Sequence, residues 1–264
     1  MAALEGLLTD YTYIFLIVFF RYLGLFIISP FFGSEILLNK IKVGCSFLLA
    51  LISFPVIAEN HIIEIPDHLL LILSEIVLEL LVGFLIGFIV FLIFAAMQLA
   101  GQFIDLRMGF RIANVFDPLT GESSPIIGQF KNIIITFVFL IINGHHVMLR
   151  GLFKSFRIIP PGEVVLRNEL WQFIFRGSAD LFIIAFQVAL PIVGTIFVVD
   201  IILGFLARSV PQMNIFIVGL PLKILIGFIL IILSFSVIIN YYTQVFDDVF
   251  NDIYRLIRLL AGGN

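Results

Sequence analysis

Apolar residues run along this chain in blocks of roughly twenty or more, broken by short segments that hold most of the charged residues and prolines. About 20 apolar residues in a helix cross a hydrocarbon core about 30 Å thick, so such blocks predict membrane-spanning helices. The first predicted span runs from about Tyr13 to Phe32 and carries Arg21. The second, about Ile41 to Ala58, is short and ends near Pro55. The third starts after Pro66-Asp67 and runs unbroken to about Gly101. The fourth is about Ile126 to Leu149, the fifth about Asn168 to Ala207 with Pro191 inside it, and the sixth about Asn214 to Asn240. An amphipathic tail, YYTQVFDDVFNDIYRLIRLL, follows from Tyr241.

Two of these blocks are longer than a bilayer requires. From Asp67 to Gly101 is roughly 35 residues, or about 52 Å of helix at 1.5 Å per residue. Tilt absorbs only part of that excess. The fifth block is longer still, although Pro191 can bend or break it. Two readings stay open: a hairpin or re-entrant bend hidden in each block, or apolar helix projecting beyond the bilayer and covered by other subunits.

Composition supports the membrane reading. The chain has 264 residues, 61% hydrophobic and 12% charged, with 31 Phe, and a mean hydropathy of +1.19. Soluble domains are about 45–50% apolar and about 25% charged. The net charge of -3 says little in so apolar a chain. No stretch is basic enough to suggest nucleic acid. Cys45 is the only cysteine, so an intrachain disulfide is excluded. The first ten residues contain Glu5 and Asp10 but no Lys or Arg, which argues against a cleaved signal peptide. The basic residues fall on both sides of a six-span arrangement, with Lys40, Lys42, Arg107 and Arg111 opposing Arg150, Lys154, Arg157 and Arg167. The positive-inside rule expects a clear asymmetry, so some blocks do not span in the simple way.

Charges inside the spans are the next signal, because each costs at least ~3 kcal/mol at the bilayer centre. Arg21, Glu75, Glu79, Arg176, Asp180, Asp200 and Lys223 all lie within apolar runs. Glu75 and Glu79 are four apart, as are Arg176 and Asp180, so each pair shares a helix face. Arg176 and Asp180 can form an ion pair. Glu75 and Glu79 repel unless protonated, hydrated or facing a cation. Glu75, Arg176 and Asp180 are also close enough to segment starts to lie outside the hydrocarbon. Arg21 and Lys223 must face protein or water. In GFLIGF, Gly83 and Gly87 have the small-xxx-small spacing of close helix packing, and Ala96 and Ala100 repeat it.

Enzymatic motifs are lacking. His145 and His146 are adjacent and diverge by about 100° on a helix, a poor arrangement for shared metal ligation. His61, Glu64 and His68 lie in a short loop with Pro66 and read as solvated. No GxSxG, HExxH or phosphate-binding glycine loop occurs. No catalytic residue, metal site or cofactor is therefore expected. Transport fits better. A stand-alone proton-coupled transporter would use Glu75, Glu79 or Asp200, although no inverted repeat is evident. Two polar breaks, DLRMGFRIANVFDP and ARSVPQMNIF, stand between long apolar helices. Irregular backbone at membrane depth is tolerated only when buried in protein or lining a water-filled cavity. Each break is thus a candidate pore lining or an ordinary interfacial loop.

At these breaks the sequence resembles the FliR/SctT family of type III secretion export-gate subunits. The resemblance is carried by FRYLGLFIISPFFG (20–33), by the loop with Gly109, Asn114, Asp117-Pro118 and Pro125, by NGHHVMLRGLFKSFRIIPPG (143–162) and by ARSVPQMNIFIVGLPLKILIG (207–227). The last, with Pro211-Gln212, Asn214, Pro221 and Lys223, is the closest match. The resemblance implies an all-α polytopic integral membrane protein of long, partly broken helices assembling into a helical export-gate complex. It implies a single membrane domain over 1–264, with a plug-like loop at 104–125 and the amphipathic tail at 241–264. It also implies partners: FliP and FliQ, with FlhB and FlhA alongside, membrane lipid, and unfolded flagellar proteins as cargo. The implied location is the bacterial inner membrane, in the flagellar basal body. The injectisome subunit SctT is the alternative within the family.

Carried over, the plug covers about Leu106–Ser124, with Arg107, Met108, Gly109, Phe110, Arg111, Asn114, Phe116, Asp117 and Pro118 as its candidate residues. Met108, Phe110 and Phe116 would form an apolar seal. Arg107 and Arg111 would pair with Asp105 or with partner carboxylates. Arg208, Pro211, Gln212 and Asn214 form the second break.

Overall fold

Every apolar block of the sequence forms helix. The computed structural model describes residues 2–33, 37–60, 65–66, 68–110, 125–210, 212 and 214–262. These form α1 (Ala2–Ile28), α2 (Asn39–Asn60), α3 (Leu69–Met108), α4 (Ile126–Ile141), α5 (Gly144–Ile158), α6 (Asn168–Ser209) and α7 (Ile215–Leu260), with no strand among the described residues. Among the described residues, five helices are long and apolar enough to cross a membrane, or there are six spans if the bent α4–α5 pair counts as one.

The overlong blocks contain no hairpin. Helix α3 has 40 residues and α6 has 42, each in one piece, so each is roughly 60 Å long. Pro191 lacks the N–H that would bond the Gln187 carbonyl, yet α6 continues through it. One turn on, the Thr195 hydroxyl donates to the Pro191 carbonyl at 2.8 Å.

Two boundaries differ from expectation. The fourth block is not one straight helix. It divides at Ile142-Asn143 into α4 and α5, bent by 63°. Asn143 sits in the left-handed region at φ 57, which Asn tolerates better than most residues. Its carbonyl then accepts the His146 and Val147 N–H groups at 2.9 and 3.2 Å to start α5. The amphipathic tail is not a separate element either. Helix α7 runs 46 residues from Ile215 to Leu260, because nothing between Asn240 and Tyr241 breaks a helix.

The chain divides into two compact units. The first comprises residues 1–92, 143–177 and 246–264. On α1, Tyr13, Ile17, Val18, Tyr22 and Leu25 are buried, a spacing that marks one helix face. That face meets α3 along a glycine seam: a Cβ on Gly24 would overlap the Leu80 carbonyl, and one on Gly83 the Arg21 carbonyl. The predicted Gly83 packing face is real. Met148, Leu152 and Phe156 of α5 and Ile253, Leu256 and Ile257 of α7 complete this core. Helix α2 docks on α1 through aromatic edges, Phe15 against Phe47 at 5.2 Å and Tyr11 against Phe54 at 5.9 Å.

The second unit comprises residues 93–142 and 178–245. Ala96, Met97, Ala100 and Ile104 of α3 are fully buried, as are Ile135 and Phe139 of α4. Phe94 meets Phe139 edge-on at 5.7 Å. A Cβ on Gly101 would overlap Gly128 backbone, so α3 and α4 approach at van der Waals contact. Within this unit α6 and α7 leave long apolar faces uncovered, including Phe182, Phe186, Phe197, Phe205, Ile232 and Leu233, each more than half exposed.

Candidate functional site

In the first unit, Arg21 is fully buried and so is Glu79. The Arg21 Nε–H donates to Glu79 Oε2. Its Nη1 donates to Ser155 Oγ at 3.1 Å, and both Nη atoms reach the Ile159 carbonyl at 3.3 Å. The guanidinium carbon stands 4.2 Å from the Phe156 ring centroid, a cation–π contact. The other Glu79 oxygen accepts the Gly162 N–H at 2.9 Å. A guanidinium has five N–H donors and no acceptor, and here carboxylate, hydroxyl, carbonyl and ring surround it. That is the condition for keeping an ion pair out of water.

The sequence builds this cluster locally. Arg21 and Glu79 lie on the buried faces of α1 and α3. The Pro160-Pro161-Gly162 turn after α5 carries its last residue at φ +86, a conformation suited to glycine. This turn aims the Gly162 N–H at Glu79, and a Cβ there would stand 3.1 Å from Glu75 Oε2. The Glu75–Glu79 repulsion is thereby resolved. Glu79 faces Arg21, and Glu75 accepts a hydrogen bond from the Tyr13 hydroxyl.

In the second unit one residue holds both ends of the candidate plug loop. Helix α3 ends at Met108, where Gly109 turns to φ 89. The Asp105 carbonyl accepts the Gly109 and Phe110 N–H groups, both at 3.1 Å, closing the helix as in a Schellman motif. The Asp105 carboxylate, 1% exposed, reaches across to α4. It accepts the Ile127 N–H at 3.1 Å and the Gly128 N–H at 3.3 Å. Pro125 precedes α4 and gives no side-chain cap, so Asp105 performs that task from another helix. A carboxylate at a helix N-terminus satisfies orphan N–H groups and meets the positive end of the dipole.

The other predicted residues divide as follows. Met108 is fully buried and packs against Gly227, where a Cβ would stand 2.9 Å from Met108 Cγ. The Phe110 ring meets Phe228 edge-on at 6.1 Å. Arg107 is exposed. Arg111, Asn114, Phe116, Asp117 and Pro118 lie outside the described residues, as does Pro211 of the second break. Arg208, Gln212 and Asn214 are exposed, and the Asn214 carbonyl accepts the Ile217 N–H at 3.1 Å at the start of α7. Lys223 of α7 forms an ion pair with Asp200 of α6, both side chains partly exposed. Arg176 and Asp180 are exposed and make no ion pair among the described residues. No group of three or more metal-ligating side chains occurs among the described residues.

Sequence reasoning undervalued Asp105. The signal was present: an acid in the last turn of a helix opposes that helix's own dipole. A buried acid at such a position points to a donor elsewhere in the fold. Tyr13, Ser155 and Gly162 carried no comparable signal.

A sequence profile of "Bacterial export proteins, family 1" matches residues 12–249. The chain belongs to this family. Among its relatives, the flagellar biosynthetic protein FliR of Bacillus subtilis (strain 168) is 40% identical over 250 residues, covering 94% of this chain and 95% of that one. FliR of Pectobacterium carotovorum subsp. carotovorum is 30% identical, covering 92% of each chain. FliR of Escherichia coli (strain K12) is 26% identical over 88% of this chain and 87% of that one. The export-protein family match takes in Arg21, Glu79, Asp105, Asp200 and Lys223, so both ion pairs and the loop clamp fall within the family region.

Proposed function

We propose that this chain is a channel-forming structural subunit of the flagellar type III export gate in the bacterial inner membrane. In this reading it assembles with FliP and FliQ, works beside FlhB and FlhA, and passes unfolded flagellar proteins across the membrane. The relatives' names support the flagellar system over the injectisome. One structural observation carries the assembly: α3, α6 and α7 have 40, 42 and 46 residues, and apolar side chains are exposed along most of α6 and on α7 from Ile217 to Val237. A lone chain in a core about 30 Å thick would leave part of that surface in water. Partner helices would cover it.

Within the same reading the loop at 104–125 is the plug, and its residues from Arg107 to Pro118 are the candidate seal. Arg208 to Asn214 form the second polar break beside it in function. The acidic groups a proton-coupled transporter would need do not favour that alternative, since Glu79 is paired with Arg21 and Asp200 with Lys223.

Affinity purification after co-expression with FliP and FliQ tests the assignment. A stable complex of the three is expected, and deletion of the gene should abolish swimming while any virulence secretion persists. A stable, transport-competent monomer would overturn the gate reading.

A further inference from the structure

Three cations surround one cleft at the ends of α5 and α7 in the first unit. The cleft has a volume of about 610 Å³, and its polar lining is Lys154, Asn251, Tyr254, Arg255 and Arg258. The rest of its lining is aliphatic, and among the described residues no carboxylate lines it. Among the described residues the ion pairs are Arg21–Glu79 and Lys223–Asp200, so none of these three cations is neutralised there.

The fold arranges them. Asn251, Arg255 and Arg258 recur at helical spacing on one face of α7, while Ile253, Leu256, Ile257 and Leu260 on the other face are buried. Lys154 precedes the buried Ser155 and Phe156 on α5. Lys154 Nζ lies 4.8 Å from the Tyr254 ring centroid, and the Arg255 guanidinium carbon 5.6 Å from the Phe173 ring centroid. Rings hold a cation in place without cancelling its charge. Complementing the helix dipoles accounts for one basic residue in each last turn, and those are Arg157 and Arg258. It leaves Lys154 and Arg255 unexplained, each further back and facing the same cleft.

The geometry points to an anion site for a phosphate group. A phosphate offers oxygens in several directions and takes bidentate guanidinium contacts. A single carboxylate would be outnumbered by three cations, an amide and a phenol. In a protein with membrane-spanning helices the ligand at hand is a phospholipid headgroup, which basic pockets between such helices bind. Inorganic phosphate shares the chemistry.

Native mass spectrometry of the purified full-length chain tests this, with phosphatidylglycerol, phosphatidylcholine and inorganic phosphate as separate probes. Selective retention of phosphatidylglycerol is expected, reduced on the order of a hundredfold in K154Q/R255Q/R258Q. It should be unchanged in R150Q/R157Q/R176Q, which removes the same charge outside the cleft. Displacement of the lipid by inorganic phosphate assigns a general phosphate site, and its failure a headgroup site. Equal retention of both lipids by the unaltered chain, with no phosphate bound, overturns the proposal whether or not the variants fold. So does an equal loss in the two triple variants.

Discussion

The Asp105 carboxylate accepts the backbone N–H of Ile127, with both oxygens at 3.1 Å. The residue that terminates α3 through its carbonyl thus begins α4 through its side chain, and the segment between them is tied off at one point. The segment that follows Met108 and precedes Ile126 therefore starts and ends next to residues that Asp105 holds.

Replacing Asp105 with Ala should cost about 2 kcal/mol, the upper range for losing an N-cap. Asn, which keeps one acceptor oxygen, should cost less. Thermal unfolding of the purified chain measures both. If the loop is the plug, the Ala variant should also admit small solutes that the unaltered gate excludes, and equal stability of D105A and the parent would count against the clamp.

Deleting roughly residues 109–121 should make the assembled gate conduct small ions while assembly stays normal, because the Asp105 carboxylate and the Ile127 and Gly128 N–H groups that it caps lie outside the deletion. Planar-bilayer conductance reads this. Background conductance in a correctly assembled gate would remove the plug assignment.

The buried pair of Arg21 and Glu79 should show strong coupling. Removing one partner leaves an uncompensated buried charge, at a cost of about 3–5 kcal/mol. R21M or E79M alone should therefore unfold the chain more readily than R21M/E79M. A double-mutant cycle by thermal denaturation in detergent measures it, and additive losses would mean the two side chains act independently.

Two glycine substitutions should have opposite signs. Gly83→Ala drives a methyl into the Arg21 carbonyl and should cost about 1–3 kcal/mol through overpacking. Gly44→Ala meets nothing within 4 Å, and should stabilise α2 by up to about 1 kcal/mol through helix propensity. Melting temperatures of the two variants should move apart.

Much of the fold was legible because hydropathy and helical spacing are local properties. The Phe-rich blocks marked the helices, and Gly83 marked a packing seam through its interval alone. The 63° bend at Asn143 was missed because His145 and His146 follow it inside an apolar run, so hydropathy carried no break there. The join between the sixth block and the tail was missed for the opposite reason. Composition changes at Tyr241, but a change from lipid-facing to amphipathic helix needs no interruption of backbone hydrogen bonds.

The sequence by itself determined the class and the positions of the apolar blocks, since both follow from side-chain chemistry read in order. Only tertiary structure decided the partners. Arg21 finds Glu79 at a separation of 58 residues, and Asp105 finds the α4 N-terminus at 22. A charge in an apolar environment must be met somewhere, but where depends on which helix faces pack together.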